Sequence, residues 1–358
     1  MKRAAAARAE LARLRRRIDQ LDASLLRLLE QRVAAGQAVG ATKRALGHPP
    51  YDPGRERGVR TRLARLAAPG LPADAVGDIY REIISLTRAQ SAVTSVAFMG
   101  ATGGLGHWAA VQRFGRASRY IACPAAEDLL RAVESGAAGY GVVSLEGDAD
   151  LASLDTFDLL LDGSAQIFGE FRARGALLVL GRGRAAPRRL VAPAGLLAEH
   201  ERWLRARFPQ AQLTSVPSLA EAARRARAAR VACLGTPLQA QPPLRVLGAV
   251  GGANARHARR FLVLSLARPS RSGRDKTILL FALPNRPGGL VRVLEPFARH
   301  RVNLLWIESR TSRGRPWAHL FLLEIEGHAV DRRVAKALEG ARARTDYLKV
   351  LGSFPAEV

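Results

Sequence analysis

Five charged side chains in the first sixty residues have a spacing that could bind a small anion. Arg32 and Lys43 lie eleven residues apart on the apolar stripe of a predicted helix and project from one face. The ordinary alternative is that these long basic side chains extend from the edge of a core into water. Asp52, Arg55 and Glu56 share one face of the next predicted helix, where they could equally be an N-cap and a surface pair. Because guanidinium and ammonium groups pair with anionic oxygens, the set as a whole predicts recognition of an anionic substrate.

Three helices have to position these residues. The first is predicted over 4–46 by apolar residues spaced four and three apart, and the segment 47–50, with glycine and two prolines, ends it. The second, over 52–67, begins with an N-cap acid followed by proline. The third is predicted over 72–90. The stripe of the first helix consists of Leu14, Ile18, Leu21, Leu25 and Leu28.

The segment 11–90 resembles the helical class of chorismate mutases, in register and without gaps from Leu14 to Glu56. The resemblance implies an all-α three-helix domain, placed at 1–93, that rearranges chorismate to prephenate. That rearrangement is pericyclic, so we expect neither a metal nor a cofactor. The site has to hold a flexible dianion with its reacting carbons close together, and it has to stabilise charge on the breaking ether oxygen.

The resemblance also assigns roles to side chains. Thr87 stands where the family has a small hydroxyl residue or cysteine. The last site position falls on Ser91 in strict register, and we predict its neighbour Gln90 as the second donor to the ether oxygen. The charged residues implied are Arg15 and Arg32 for the two carboxylates of chorismate, Lys43 for the ether oxygen and a carboxylate, and Asp52, Arg55 and Glu56 around the ring hydroxyl.

Arg15 and Arg32 cannot act on one small substrate from the same straight helix. Seventeen residues separate them, which places their Cα atoms about 25 Å apart. If both bind chorismate, Arg15 must come from a second copy of the chain. We therefore predict an interlocked homodimer with two shared sites, which the family resemblance also implies.

Composition and charge argue against several other classes of protein. A net charge of +25 would suit nucleic acid, but only five of the 56 basic residues are lysines and the arginines are scattered, as under a codon bias toward G and C. We expect no nucleic-acid partner. We also expect no membrane partner, because no apolar run reaches the roughly 18 to 20 residues of a span, and the N-terminus lacks a secretory signal.

Cys123 and Cys233 lie in apolar stretches, which predicts buried thiols in a reducing cytoplasm.

From Thr94 onward, short β-rich runs alternate with helical ones, which predicts an α/β layered domain. SVAFMGATGGLGHWAAVQRFG and CPAAEDLLRAVESGAAGYGVV resemble the prephenate dehydratases. The resemblance implies a two-lobed, periplasmic-binding-protein-like domain over 94–268, with the substrate in its cleft. After a loop at 269–275, the pattern predicts a small βαββ-type α+β domain over 276–358.

This last segment resembles the ACT domain found in the same family. ALPNRPGGL (282–290) and IESRTSR (307–313) resemble its two phenylalanine-contact regions. The resemblance implies L-phenylalanine as effector, bound at an interface between two such domains. The implied contact residues are Asn285, Gly288, Glu308, Ser309 and Arg310.

The dehydratase motifs are altered at several positions. The family's Thr-Arg-Phe, whose threonine is the proton donor, is replaced by Arg259-Arg260-Phe261, and arginine cannot release a proton at neutral pH. Glu146 is present, but Gly147–Asp150 replaces the polar residues that follow it in the family. Ala192–Gly195 likewise replaces a Ser-His-Pro-Gln stretch, and the Gly-rich opening at 103–106 has lost its polar residues. We predict a scaffold that keeps Arg260, Phe261 and Glu146 but has lost its chemistry.

Three alternatives stay open. The chain is fully bifunctional if Thr236, Ser265 or His257 replaces the missing threonine. It is a non-catalytic regulatory subunit if the helical site is unused, although the intact six-residue set argues against this. It is a mutase fused to a dehydrogenase if the glycines at 100–106 form a dinucleotide motif, although the required acid after the next strand is missing and Pro124 follows.

Overall fold

The computed structural model describes residues 2–68, 70–91, 94–145, 160–173, 177–183, 185–250, 259–283, 286–311 and 319–357. Its helices are α1 (Lys2–Ala45), α2 (Pro53–Leu66), α3 (Ala73–Ser91), α4 (Leu105–Phe114), α5 (Ala126–Glu134), α6 (Ala194–Arg207), α7 (Leu219–Ala228), α8 (Gly289–Arg299) and α9 (Arg332–Arg342). Its strands are β1 (Ser95–Met99), β2 (Arg119–Cys123), β3 (Tyr140–Ser144), β4 (Gln166–Ala173), β5 (Leu178–Gly181), β6 (Arg189–Ala192), β7 (Gln212–Ser215), β8 (Ala232–Gly235), β9 (Arg245–Ala249), β10 (Arg259–Ser265), β11 (Asp275–Ala282), β12 (Leu304–Thr311), β13 (His319–Glu326) and β14 (Tyr347–Pro355).

The three N-terminal helices, α1 to α3, begin and end within two residues of the predicted bounds. Gly47 ends α1 with a φ of 69°, a left-handed conformation that glycine adopts without strain. Asp52 caps α2, because its Oδ1 accepts a hydrogen bond of 2.9 Å from the backbone N–H of Arg55. Pro53 occupies the first turn, where its missing N–H has no helical partner to lose.

Two glycines let α1 and α3 approach closely. A Cβ added at Gly36 would lie 2.0 Å from Cγ2 of Thr87, and one added at Gly40 would lie 2.7 Å from Cβ of Ser91. Both distances are far below van der Waals contact, so the packing requires glycine at these two positions. The crossing therefore fixes which face of α3 meets the basic face of α1.

The predicted apolar stripe of α1 stays largely open to solvent in the described part of the chain. A helix with an apolar stripe of this length normally buries it against another surface. The relative exposures are 48% for Leu14, 56% for Ile18, 49% for Leu21, 56% for Leu25 and 60% for Leu28.

Two five-stranded sheets form the predicted two-lobed α/β domain. Lobe one has the strand order β2-β1-β3-β10-β4, with β10 antiparallel to both neighbours. Lobe two has the order β7-β6-β8-β5-β9. The chain leaves lobe one after β4 and returns at β10, where Ala173 and Arg259 are neighbours in the ladder.

The C-terminal domain, β11 to β14 with α8 and α9, is larger than the predicted βαββ unit. Its sheet has the order β12-β13-β11-β14, so the element order is βαββαβ. The prediction missed α9 because two of its four buried residues are alanines, which give a weak apolar pattern. It missed β14 because Lys349 and Gly352 interrupt the alternation of a strand.

The two cysteines are buried free thiols, as predicted. Burial raises the pKa of the Cys123 thiol and raises that of Cys233 to about 12, so both remain protonated at neutral pH.

None of the described helices combines the length and hydropathy needed to cross a bilayer.

The glycine contact between α1 and α3 can be tested with Gly36→Ala. The added methyl group should force the helices apart and lower the free energy of unfolding of this domain by about 1–3 kcal/mol. Gly77→Ala is the matched control in α3, because a Cβ there meets no atom within 4 Å and helix propensity should add about 1 kcal/mol of stability. Thermal unfolding followed by circular dichroism measures both, and equal melting temperatures would contradict the packing argument.

Candidate active site

Arg32 lies at the contact between α1 and α3. Its Nη1 donates a hydrogen bond of 2.9 Å to Oγ1 of Thr87, and the Thr87 hydroxyl donates in turn to the carbonyl of Ile83 at 2.8 Å. Thr87 is 9% exposed. The guanidinium is therefore held at one edge by α3 and keeps further N–H groups for an anion.

Lys43 and Asp52 lie at neighbouring ends of α1 and α2. Lys43 Nζ donates to the carbonyl oxygen of Pro50 at 3.4 Å, across the turn that joins the two helices. Asp52 begins α2 two residues later. The turn thus brings a cationic end of α1 next to the acidic start of α2, as the spacing in the sequence predicts.

Glu56 forms an ion pair with Arg88, a residue that the sequence analysis did not single out. The Nη1–Oε1 distance is 2.6 Å, and the side chains of Arg88 and Glu56 are only 8% and 17% exposed. Nη2 of Arg88 donates to the carbonyl of Phe114 in α4, also at 2.6 Å. The only sequence signal for Arg88 is its place three residues after Ser85 on the buried face of α3.

Other predicted residues lie away from this contact. The Gln90 side chain is exposed, whereas Ser91 lies on the α1 side of α3, where the Nη1 of Arg44 donates to its carbonyl at 2.5 Å. Arg55 is exposed on α2. Arg15 is exposed on the N-terminal half of α1, and the single chain does not bring it to Arg32. The choice between Gln90 and Ser91 stays a prediction.

In the two-lobed domain, the residue predicted to replace the family's threonine joins the two lobes. Arg259, in β10 of lobe one, forms an ion pair of 2.6 Å with Glu199, in α6 of lobe two. Phe261 is 1% exposed and stacks on Phe171, with ring centroids 5.5 Å apart. Arg259 and Phe261 are thus both engaged within the protein.

Arg260 belongs to a buried network of four charges between lobe one and the C-terminal domain. Its Nη2 lies 2.5 Å from one oxygen each of Glu170 and Glu324. Lys276 pairs with the other oxygens of the same carboxylates, at 2.6 Å from Glu324. Burial disfavours the charged guanidinium, but the two carboxylates outweigh it and raise the pKa of Arg260. Two cations and two anions therefore neutralise each other across this interface.

The described candidates for a replacement proton donor are bonded to the backbone. The Thr236 hydroxyl, fully buried, donates to the carbonyl of Gly103 at 2.6 Å, and Ser265 donates to that of Gly139 at 3.0 Å. Glu146 and His257 lie outside the described residues. The described part of the chain contains no group of three or more His, Cys, Asp or Glu side chains placed to hold a metal ion.

The Gly-rich turn before α4 serves packing. A Cβ at Gly106 would lie 2.2 Å from the carbonyl oxygen of Met99, so α4 can begin this close to β1 only with glycine there. β2, the next strand, ends at Cys123 and is followed by Pro124 rather than by the acid of a dinucleotide site. The turn therefore gives no support to dinucleotide binding.

The predicted phenylalanine contacts are divided between a helix start and an edge strand. Gly288 caps α8 with a φ of 72°. Glu308 and Ser309 lie in β12, the edge strand of its sheet, with Glu308 half-buried and Ser309 exposed. Arg310 lies in the same strand, but its side chain is not among the described parts of the chain. Asn285 lies outside the described residues altogether.

Family models match the chain in three consecutive segments. They describe chorismate mutase type II over residues 14–92, prephenate dehydratase over 96–268 and the ACT domain over 277–343. A prephenate dehydratase from Arthrobacter aurescens, solved in complex with L-Phe, has a TM-score of 0.67 at 29% identity and covers 74% of this chain and 90% of its own. Fold and matches define a three-domain enzyme of aromatic amino acid biosynthesis.

Two curated relatives extend the likeness over almost the whole chain. The bifunctional chorismate mutase/prephenate dehydratase of Aquifex aeolicus is 32% identical over 354 residues, covering 97% of this chain and 98% of that protein. The enzyme of the same name from Neisseria gonorrhoeae is 31% identical over 364 residues, covering 96% of each. The chain belongs to the family of bifunctional chorismate mutase/prephenate dehydratases.

The buried charge network can be tested with Lys276→Met. Removing one cation leaves two carboxylates facing Arg260 alone, and breaking a buried ion pair in this way costs about 3–5 kcal/mol. We expect a melting temperature several degrees lower than that of the parent chain. Lys336→Met, at an exposed position of α9, is the control. Equal melting temperatures for the two variants would show that the network does not stabilise the interface.

Proposed function

We propose that the helical domain, residues 1–93, converts chorismate to prephenate at a site around Arg32, Lys43, Asp52, Arg55 and Glu56. The observation that carries the proposal is the Arg32–Thr87 hydrogen bond, which holds a guanidinium at the crossing of α1 and α3. Lys43 extends the same face of α1 toward the start of α2. The arrangement supplies cationic side chains for the carboxylates of chorismate and a carboxylate side chain that can accept a hydrogen bond from its ring hydroxyl.

The chemistry asked of these groups is positioning and charge stabilisation. Arg32 and Arg15 of a second copy hold the two carboxylates, which restricts chorismate to its folded, reactive conformer. Lys43 faces the ether oxygen and stabilises the negative charge that develops as the C–O bond breaks. Thr87 keeps the Arg32 guanidinium in one orientation, and Gln90 is proposed as the second donor to the ether oxygen. No proton has to be transferred in the rearrangement.

The proposed active unit is a homodimer. The stripe from Leu14 to Leu28 is about half exposed in the single chain, and a second α1 is the occupant that the position of Arg15 requires. Packing α1 against its copy buries the stripe and delivers Arg15 to the site of the other chain. Each site then contains residues of both chains.

The two-lobed domain is proposed to have lost dehydratase activity. Arg259 stands where the family has its proton donor and is held in an ion pair with Glu199. A guanidinium cannot release the proton that the departing hydroxyl of prephenate needs. Thr236 and Ser265 already donate to backbone carbonyls.

The second candidate function is that of a fully bifunctional enzyme, acting in the cytoplasm, that also converts prephenate to phenylpyruvate. It is favoured by the likeness to the two relatives from Aquifex aeolicus and Neisseria gonorrhoeae, both described as bifunctional chorismate mutase/prephenate dehydratases.

The C-terminal domain is proposed to bind L-phenylalanine as a regulator of the mutase. The support is the left-handed turn at Gly288 before α8 and the open edge strand β12 with Glu308 and Ser309. An edge strand exposes unpaired backbone groups and favours pairing with a second copy of the domain. Asn285 and Arg310 complete the proposed contact set.

A time course with the full-length chain and chorismate, in which chorismate, prephenate and phenylpyruvate are measured separately, tests these activities. We expect chorismate to disappear and prephenate to accumulate, while phenylpyruvate does not exceed its uncatalysed formation. Millimolar phenylalanine should lower the mutase rate and release heat on titration. Enzymatic formation of phenylpyruvate would establish the bifunctional alternative, and unchanged chorismate would rule out the proposed mutase site.

Mixing two inactive variants tests the shared site. Arg15→Ala and Arg32→Ala should each lower kcat/KM at least a hundredfold. After subunit exchange, half of the dimers carry both variants and have one intact site, so about a quarter of the sites should be active. Arg16→Ala, at the exposed neighbouring position, is the control that should retain activity. Exchange without recovered activity, or a light-scattering mass of one chain, would overturn the dimer proposal.

A further inference from the structure

We propose that Arg88 is a positioning residue for the mutase reaction and that lobe one of the two-lobed domain holds it in place. The proposal rests on the proposed role of Glu56 as a ligand of the chorismate hydroxyl. It assigns to the middle domain a role in the mutase reaction that does not require dehydratase chemistry of its own.

Arg88 connects the mutase helices to lobe one through its two terminal nitrogens. Nη1 donates to Oε1 of Glu56 and Nη2 donates to the carbonyl of Phe114, each at 2.6 Å. The guanidinium carbon lies 5.3 Å from the ring centroid of Tyr51 and 5.5 Å from that of Phe114. The planar group is thus fixed both by its hydrogen bonds and by two aromatic rings.

Only one oxygen of Glu56 is used by this ion pair. Within the described chain, Arg88 contacts Oε1 and leaves Oε2 without a hydrogen-bond partner. A carboxylate held through one oxygen in this way points its other oxygen in a fixed direction. That oxygen is the acceptor proposed for the ring hydroxyl of chorismate.

Tyr51, the residue before the α2 N-cap, is also fixed on lobe one. It is 0% exposed, and its backbone N–H donates to the Tyr140 hydroxyl at 3.2 Å. Its ring lies 4.8 Å from that of Phe114, and Arg113 donates a hydrogen bond to its hydroxyl. Burial raises the pKa of Tyr51, so the phenol stays neutral beside these arginines. Lobe one therefore fixes the start of the helix that carries Glu56.

Three variants of the full-length chain separate positioning from simple stabilisation. Arg88→Met removes the guanidinium, Glu56→Gln removes the charge that it compensates, and the double variant removes both. We expect Arg88→Met to raise KM for chorismate about tenfold and to change kcat less than threefold. A residue that only stabilises the fold would instead lower the active fraction, which reduces the apparent kcat and leaves KM unchanged. Arg81→Met, whose ion pairs lie nearer the surface of α3, is the control.

The double variant decides the role of Glu56. Without a buried unpaired charge, the melting temperature should return toward that of the parent chain, while KM stays high. If KM also returns to the parent value, Glu56 does not contact the substrate and the proposal fails. That result would leave the mutase activity itself standing, because the parent time course measures it independently.

A pair of glycines tests the contribution of lobe one. Gly115 and Gly136 have φ values of 74° and 77°, so alanine is similarly strained at both positions. A Cβ at Gly115 would lie 2.4 Å from Cβ of Ser85 in α3, whereas a Cβ at Gly136 meets nothing within 4 Å. We expect Gly115→Ala to raise KM for chorismate severalfold more than Gly136→Ala. Equal KM values would overturn the claim that lobe one holds Arg88.

Discussion

The burial of Tyr51 at the start of α2 is the constraint on which the relation between the domains depends. The phenol is enclosed by aromatic rings of lobe one, and its hydroxyl accepts from Arg113, which lies 3.5 Å from the carboxylate of Glu357 at the end of the C-terminal domain. Arg57 of α2 donates to the carbonyl of Ala356 in the same segment. All three domains therefore meet around the Tyr51 side chain. A shift of any one of them would displace the first turn of α2.

Charged groups align these contacts together with the apolar core that lobe one shares with the C-terminal domain. Glu199 with Arg259 joins the two lobes. Glu170 and Glu324 with Arg260 and Lys276 join lobe one to the C-terminal domain. Glu56 with Arg88 joins α2 to α3, and the same Arg88 side chain reaches lobe one at the carbonyl of Phe114. Buried pairs of this kind cost desolvation energy and add little net stability. Their contribution here is orientation. Glu170 and Glu324 use both carboxylate oxygens, one for Arg260 and one for Lys276, and therefore accept these partners in one geometry.

The helices of the mutase domain could be predicted because their signals are local. The stripe from Leu14 to Leu28, the Asp52-Pro53 start and the glycine after α1 each depend on neighbours within a few residues. Arg88 could not be found in this way, since its partners are 32 residues back at Glu56 and 26 residues ahead at Phe114. The network of Arg260 was missed for the same reason, and β14 was missed because its pairing with β11 outweighs a poor strand pattern.

The ladder position of Ala173 and Arg259 has an evolutionary consequence. Because these residues are neighbours where the chain leaves and re-enters lobe one, lobe two is in effect an insertion whose two ends already lie side by side. It can be shortened, exchanged or lost in a lineage without breaking the sheet beneath it. Lobe one has no such freedom, since its strands come from both sides of the insertion and run directly into the C-terminal domain. Insertions and deletions are therefore expected to be tolerated in lobe two more readily than in lobe one.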